Sequence, residues 1–555
     1  MRHELLRVVD DVSFTVGRGE ILGVVGESGA GKSMTGSAII GLIDPPGRIA
    51  SGEIVFDGER VEQDAQALRG KRIGMVFQDP LTSLNPLHRV GDQIIETIRT
   101  HLSVSASEAQ QRMHAALEEV GLDPSRARAY PHEFSGGMRQ RAVIALALCA
   151  EPALIIADEP TTALDVSIQA QVLDLLKRVC KERNASVILI THDMGVISET
   201  TDRVAVLYDG KLVEVGETNR ILKNPQHPYT EALIACTPTI EGGSFDRDLV
   251  QIDRTGANAD GGEFNVRSAR LVETEAQVPS SHSNENVSPL LVAENLSREF
   301  DLSDPWLIRM LSLSKKRILH AVSDVSFQID RGTTYALVGE SGSGKSTIAR
   351  MAVGLLPPTS GTVTIEARDL NDSNLDSSER QALRRRIQMV FQSPYASLNP
   401  RWRVSAILAE PLRAFGLVAE GQDETTRVKE LLEQVGLSAS DARRYPHEFS
   451  GGQRQRISIA RALASEPDFI ICDEPTSALD VSVQAQVLNL LKQLQRDLGL
   501  TYLFITHDLA VVATMASRIG VLQSGRLVEE GLSEDIFKNP QTDYTRMLID
   551  SAPRL

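Results

Sequence analysis

One internal duplication constrains this chain more than any other feature. Gly26-Glu-Ser-Gly-Ala-Gly-Lys-Ser33 returns as Gly339-Glu-Ser-Gly-Ser-Gly-Lys-Ser346, an offset of 313 residues. Phe77-Gln78 recurs as Phe391-Gln392 at 314. Tyr130-Pro-His-Glu-Phe-Ser-Gly-Gly137 and Tyr445-Pro-His-Glu-Phe-Ser-Gly-Gly452 stand 315 apart, as do Asp158-Glu-Pro-Thr161 and Asp473-Glu-Pro-Thr476, and Thr191-His-Asp193 and Thr506-His-Asp508. An offset that drifts by two residues over five landmarks leaves room only for small loop changes, so the halves share one fold. The 555 residues also exceed what one hydrophobic core of roughly 250 to 300 residues holds. The boundaries read as one domain over 1–240, a linker over 241–288 rich in Gly, Ser, Asn and Asp, and a second domain over 289–555.

Each copy carries continuous apolar runs that end at a motif: Ile21 to Val25 before the first glycine loop, Leu154 to Ala157 before Asp158, Val187 to Ile190 before Thr191. Runs of this length bounded by turns suit strands buried on both faces of a parallel sheet, so the fold class is α/β. Met113, Ala116, Leu117 and Val120, and again Val428, Leu431, Leu432 and Val435, follow the helical i, i+3, i+4, i+7 spacing and mark a helical insertion in each core.

Composition narrows the function. A net charge of -16 argues against a protein held to nucleic acid through phosphate contacts. The longest apolar stretches, such as Ala142 to Ala150, fall short of the roughly 18 to 20 residues that a membrane-spanning helix requires, and no apolar signal core follows Met1. A cytosolic chain, held elsewhere only by a partner, is the expectation. Cys149, Cys180, Cys236 and Cys472 lie far apart without CxxC spacing and read as free thiols.

The glycine loops carry the chemistry. In GxxxxGK[ST] the glycines let backbone N–H groups close around phosphates at a helix start, the lysine reaches the β/γ oxygens and the hydroxyl binds Mg²⁺. The expected nucleotide contacts are Gly26, Glu27, Ser28, Gly29, Ala30, Gly31, Lys32, Ser33 and Met34 in the first copy. In the second they are Gly339, Glu340, Ser341, Gly342, Ser343, Gly344, Lys345, Ser346 and Thr347. Asp158 and Asp473 close apolar strands, where an acid is placed to hold Mg²⁺. Glu159 and Glu474 follow directly and are placed to polarise an attacking water. His192 and His507 are expected as neutral imidazoles that bond the γ-phosphate and orient the glutamate. Ser135, Gly136 and Gly137, with Ser450, Gly451 and Gly452, set a hydroxyl and glycine N–H groups at a helix start, an anion site without a lysine.

Together with Gln78, Gln392, Ala163-Leu-Asp165 and Ala478-Leu-Asp480, these motifs resemble the ATP-binding-cassette ATPases over nearly the whole chain. The resemblance implies two P-loop NTPase domains, each a RecA-like core with an antiparallel β part and a helical signature subdomain, sandwiching two ATP molecules head to tail. Ser135 and Gly137 would complete the site of Lys345, and Ser450 and Gly452 that of Lys32. It also implies Mg²⁺ held by Ser33, Gln78 and Asp158 and by Ser346, Gln392 and Asp473. The first signature departs from the family pattern at Phe134 and Met138, where Leu and Gln are usual, with serine and glycines intact.

Gln78-Asp-Pro-Leu-Thr-Ser-Leu-Asn-Pro86, its counterpart Gln392 to Pro400, the Tyr-Pro-His-Glu-Phe segments and His227-Pro-Tyr-Thr230 resemble the oligopeptide, dipeptide and nickel importer group. That group implies two transmembrane permease subunits, an extracytoplasmic solute-binding protein and a peripheral place on the cytoplasmic face of the inner membrane. Where many relatives bear a cysteine-rich stretch after His-Pro-Tyr-Thr, only Cys236 follows here, so no iron-sulfur cluster is expected. Relatives stack an aromatic of the opening strand on adenine. Phe300 is the candidate in the second copy, beside an insertion from Asp301 to Arg317, and the first copy shows no counterpart strand. That implies a start assigned too late or a weaker adenine grip at Lys32. A soluble twin-cassette factor acting on ribosomes is the competing reading, disfavoured by the linker composition and the acidic charge.

Overall fold

The computed structural model describes residues 6–162, 164–240, 248–253, 265–267, 289–303, 316–372, 374–418, 424–477 and 479–555. Each half is built on a six-stranded sheet of one order. In the first half it runs Ile73–Val76, Leu154–Asp158, Ser186–Ile190, Ile21–Val25, Arg203–Tyr208, Lys211–Glu217, with only the last strand antiparallel. In the second it runs Ile387–Val390, Phe469–Asp473, Thr501–Ile505, Thr334–Val338, Arg518–Gln523, Arg526–Leu532. Every residue of Ile21–Val25, Leu154–Asp158 and Ser186–Ile190 is buried, as runs covered by helices on both faces require. The register repeats as well: Asp158 lies opposite Ile190 and Asp473 opposite Ile505, so each acid leaves its sheet at the same level.

The helical insertions are also built alike. Val90–His101, Ala106–Glu119 and Gly136–Leu148 pack together, and Met113, Ala116, Leu117 and Val120 point into that core with Ile94, Ile98 and Ile144. Val404–Ala414, Glu424–Gln434 and Gly451–Leu463 do the same around Val428, Leu431, Leu432 and Val435. Burying a leucine here stabilises by about 1.5 to 3 kcal/mol, which fixes the helix that carries each signature against its sheet.

The halves differ at their opening sheets. In the second, Ile318–Ile329, Leu291–Asp301, Ser360–Ile365 and Arg368–Asp369 form a four-stranded antiparallel sheet. In the first, among the described residues, only the hairpin Val55–Phe56 with Glu59–Arg60 stands in its place. Val12, Phe14 and Val16 keep the period-2 alternation of a strand and pack on the core, but among the described residues no strand ladders with them.

Most of the expected linker lies outside the described residues, as do Ala163, Ala478 and residues 304–315 of the insertion. Residues 248–253 are not loosely packed. Asn489, on the helix Val481–Leu498 of the second half, accepts from the Leu249 N–H at 2.8 Å and donates back to the Leu249 carbonyl at 2.7 Å. Asp248 adds an ion pair with Arg496 at 3.1 Å. This asparagine pairs with a backbone as a strand would, and hydrophobic periodicity carries no trace of that contact. Among the described residues no helix is long and apolar enough to cross a membrane.

Candidate functional site

The glycine loops begin where the central strands end. Gly31 and Gly344 sit in the left-handed region, with φ of 90° and 105°, immediately before the helices Lys32–Ile39 and Lys345–Ala352. A Cβ on Gly344 would lie 2.5 Å from the Ala321 carbonyl oxygen, so both conformation and space demand glycine. The lysines are buried. Lys32 Nζ donates to the carbonyls of Gly26 at 2.7 Å and Glu27 at 3.0 Å, and Lys345 Nζ to those of Gly339 at 2.7 Å and Glu340 at 2.9 Å. Burial pulls both ammonium groups below their usual range, against the acids Asp480, Glu159 and Asp158 around Lys32 and Glu474, Asp165 and Asp473 around Lys345.

The oxygen donors for a cation meet in both halves. Ser33 Oγ donates to Asp158 Oδ1 at 3.0 Å and Ser346 Oγ to Asp473 Oδ1 at 3.2 Å. Burial raises the pKa of both aspartates. A serine hydroxyl beside an aspartate carboxyl is a donor set of the hard-oxygen type that Mg²⁺ takes.

Each glutamate is the hub of its half. Glu159 accepts from Gln78 Nε2 at 2.7 Å and Thr162 Oγ1 at 2.9 Å and meets His192 Nδ1 at 3.2 Å. Glu474 accepts from Gln392 Nε2 at 2.7 Å and meets His507 Nδ1 at 3.2 Å. Both have φ of 48°, a left-handed backbone that a glutamate adopts only where its surroundings enforce it. The enforcing contact is to the next strand, where the Glu159 and Glu474 N–H groups donate to the carbonyls of Ile190 and Ile505.

Burial alone would push the Glu159 pKa up, but the histidine bond and charge outweigh it and hold the carboxyl down at about 2. Glu474 is lowered for the same reasons. The histidines move the other way: burial lowers them, the glutamates raise them further, and the net shift is upward. The neutral imidazole expected from the sequence is thus drawn toward the imidazolium, because a buried carboxylate stands 3.2 Å away. Since Nδ1 is engaged with the glutamate, Nε2 is the nitrogen left for a phosphate oxygen.

Ser135 and Ser450 cap the helices Gly136–Leu148 and Gly451–Leu463, accepting from the N–H groups of Met138 and Gln453 at 3.3 Å. Gln453 closes the second cap by accepting from the Ser450 N–H at 3.1 Å, a bond that Met138 cannot make. Phe134 and Phe449 are both 3% exposed and fill the same core position, so phenylalanine here is a property of both copies.

Contacts between the halves are reciprocal and join each glycine loop to an Asp-Val-Ser segment of the other half, whose serines Ser167 and Ser482 the sequence reading left without a role. Ser28 Oγ donates to Asp480 at 3.0 Å, and Glu27 accepts from Ser482 Oγ. In the mirror arrangement the Ser341 N–H donates to Asp165 at 2.5 Å and Ser167 Oγ to Glu340 at 2.5 Å. The signal was present, since Asp-Val-Ser stands at 165–167 and again at 480–482. His192 and His507 open onto one cleft between the halves, walled by Leu164 and Leu479.

Phe300 lies partly buried under the Arg298 guanidinium, 4.9 Å from its ring, and pairs with Leu319, two residues before the Ala321 that abuts Gly344. The four cysteines are buried and free.

Residues 9–162 and 322–477 match the ABC transporter family, and residues 213–263 and 528–555 match the oligopeptide/dipeptide transporter C-terminal region. Glutathione import ATP-binding protein GsiA of Escherichia coli strain K12 is 44% identical over 563 aligned residues, covering 99% of this chain and 87% of that protein. Its counterpart in Shigella sonnei is equally similar. Among solved structures, a dimeric ATP-binding cassette in a post-hydrolysis state bound to ADP and Pi aligns at 31% identity and a TM-score of 0.38, over 44% of this chain and 98% of that one.

Proposed function

The chain belongs to the ABC transporter family as a two-cassette importer ATPase, and from that premise we propose that it powers uptake of short peptides of the glutathione class. The carrying observation is that one hydrolytic arrangement, serine to aspartate and glutamine and histidine to glutamate, is built twice at nearly equal distances. The similarity to glutathione import ATP-binding proteins over 99% of this chain supports the solute class. The relatives give the ribosomal alternative no support.

In this reading the glycine-loop N–H groups with Lys32 and Lys345 receive the ATP phosphates. Ser33, Asp158 and Gln78, and Ser346, Asp473 and Gln392, would hold Mg²⁺, which would neutralise phosphate charge. Glu159 and Glu474, kept ionised by their histidines, take the proton of the attacking water, while Nε2 of His192 and His507 bonds the γ-phosphate. Phe300 stacks on the adenine of the Lys345 site. Ser135 to Gly137 and Ser450 to Gly452 approach the opposite nucleotide when ATP draws the halves together, and hydrolysis releases them. Residues 1–240 and 289–555 are the two cassettes and 241–288 joins them.

The partners in this account are two transmembrane permease subunits and an extracytoplasmic binding protein, with the chain peripheral on the cytoplasmic face of the inner membrane. Uptake of labelled glutathione and dipeptides in cells deleted for this chain tests it. Restoration by the parent and not by a Glu159→Gln/Glu474→Gln chain is expected; normal uptake in the deleted cells refutes it.

A further inference from the structure

The C-terminal part of each half reaches back to its own glycine loop. Tyr229, near the start of the helix Pro228–Ala235, accepts a hydrogen bond through its hydroxyl from the Glu27 N–H at 3.2 Å. Tyr544, on the helix Asp543–Asp550, accepts from the Glu340 N–H, also at 3.2 Å. The pairing repeats with the sequence around it: Lys-Asn-Pro-Gln stands at 223–226 and 538–541 and Tyr-Thr at 229–230 and 544–545, with His-Pro between them in the first copy and Thr-Asp in the second.

Both ends of these bonds are constrained. Tyr229 is fully buried against Tyr208, ring centroids 4.4 Å apart, so its hydroxyl must find a partner inside the protein. The helices are themselves suspended from the last strand of each sheet. Glu214 accepts from the Gln226 and His227 N–H groups at 3.0 and 3.1 Å, and Glu529 from those of Gln541 and Thr542 at 2.8 and 3.0 Å. Beyond the loop, the side chain of the same glutamate crosses to the other half, Glu27 to Ser482 and Glu340 to Ser167. A continuous line therefore runs from the sheet edge through the tyrosine and the second residue of the glycine loop to the opposite cassette.

We propose that Tyr229 and Tyr544 are positioning residues for ATP, each bracing the second residue of its glycine loop and thereby the phosphate-binding N–H groups that follow. This rests on the reading of the glycine loops as ATP sites. Phenylalanine fills the same space and removes only the hydroxyl, leaving the loop N–H without its acceptor.

The test uses the full chain carrying Glu159→Gln and Glu474→Gln, which holds ATP unhydrolysed, with binding measured calorimetrically. Adding Tyr229→Phe is expected to weaken one of two ATP sites about tenfold and leave the other unchanged, and Tyr544→Phe to weaken the second. The double replacement weakens both. If both sites stay within twofold of the background while the melting temperature falls, the tyrosines serve packing alone and the proposal is overturned. If the background chain binds no ATP, the ATP-site reading itself fails, and the proposal with it.

Discussion

Removing the two histidines, His192→Ala with His507→Ala, isolates what they do for the glutamates. Glu159 titrates at about 2 rather than the ordinary 4.5, although burial pushes it upward. That difference corresponds to roughly 3 kcal/mol between the ionised and protonated forms. The side chain is only 12% exposed, so solvent screens little of this. The sign follows from a carboxyl depressed on folding: its contribution is complete above the unfolded pKa and is lost as pH falls from about 4.5 toward 2. The raised histidine describes the same contact from the other side, present at low pH and lost as pH rises through its folded pKa. At pH 7 the variant should lose about 3 kcal/mol in the first cassette, and chemical denaturation should show that difference narrowing below pH 4.5. In parallel, the acid limb of ATP turnover should move up, because burial is then opposed only by the Thr162 and Gln392 hydrogen bonds and the charges of Lys32 and Lys345. An acid limb that stays in place, with a stability difference independent of pH, would refute the reasoning.

Three further outcomes follow from the same geometry. Gly452→Ala sets a Cβ 2.1 Å from Val483 Cγ1 and should cost about 1 to 3 kcal/mol of stability, recovered by Val483→Ala and read by denaturant titration. Ser33→Ala with Ser346→Ala removes a hydroxyl from each cation site and should raise the Mg²⁺ concentration for half-maximal turnover about tenfold, with lesser change at saturating metal. Phe300→Ala should weaken ATP at one site by roughly 0.5 to 1.5 kcal/mol with little effect on GTP discrimination by the other, measured by competition binding.

The sequence carried the repeat, the α/β class and the motif residues, because each depends on local pattern: apolar runs ending at Asp158 and Asp473, glycines where φ is positive, and helical spacing from Met113 to Val120. What pattern could not supply is pairing between distant segments. Asn489 bridging to Leu249, and Tyr229 reaching the Glu27 N–H, join positions separated by 240 and 202 residues. The upward shift of the His192 pKa was also hidden, since it follows from how closely Glu159 approaches inside the core and not from residue type. The Asp-Val-Ser repeats at 165 and 480 were visible, yet their place between the halves becomes evident only when the two glycine loops face them.

The central claim is that two glutamates at twin ATP sites carry the hydrolysis that drives import. Its most direct test is ATP binding and steady-state ATP hydrolysis by the purified chain and its Glu159→Gln/Glu474→Gln form. The account expects two ATP molecules bound per chain in both and turnover lowered at least 100-fold in the variant. Hydrolysis at the parent rate by the variant would contradict it.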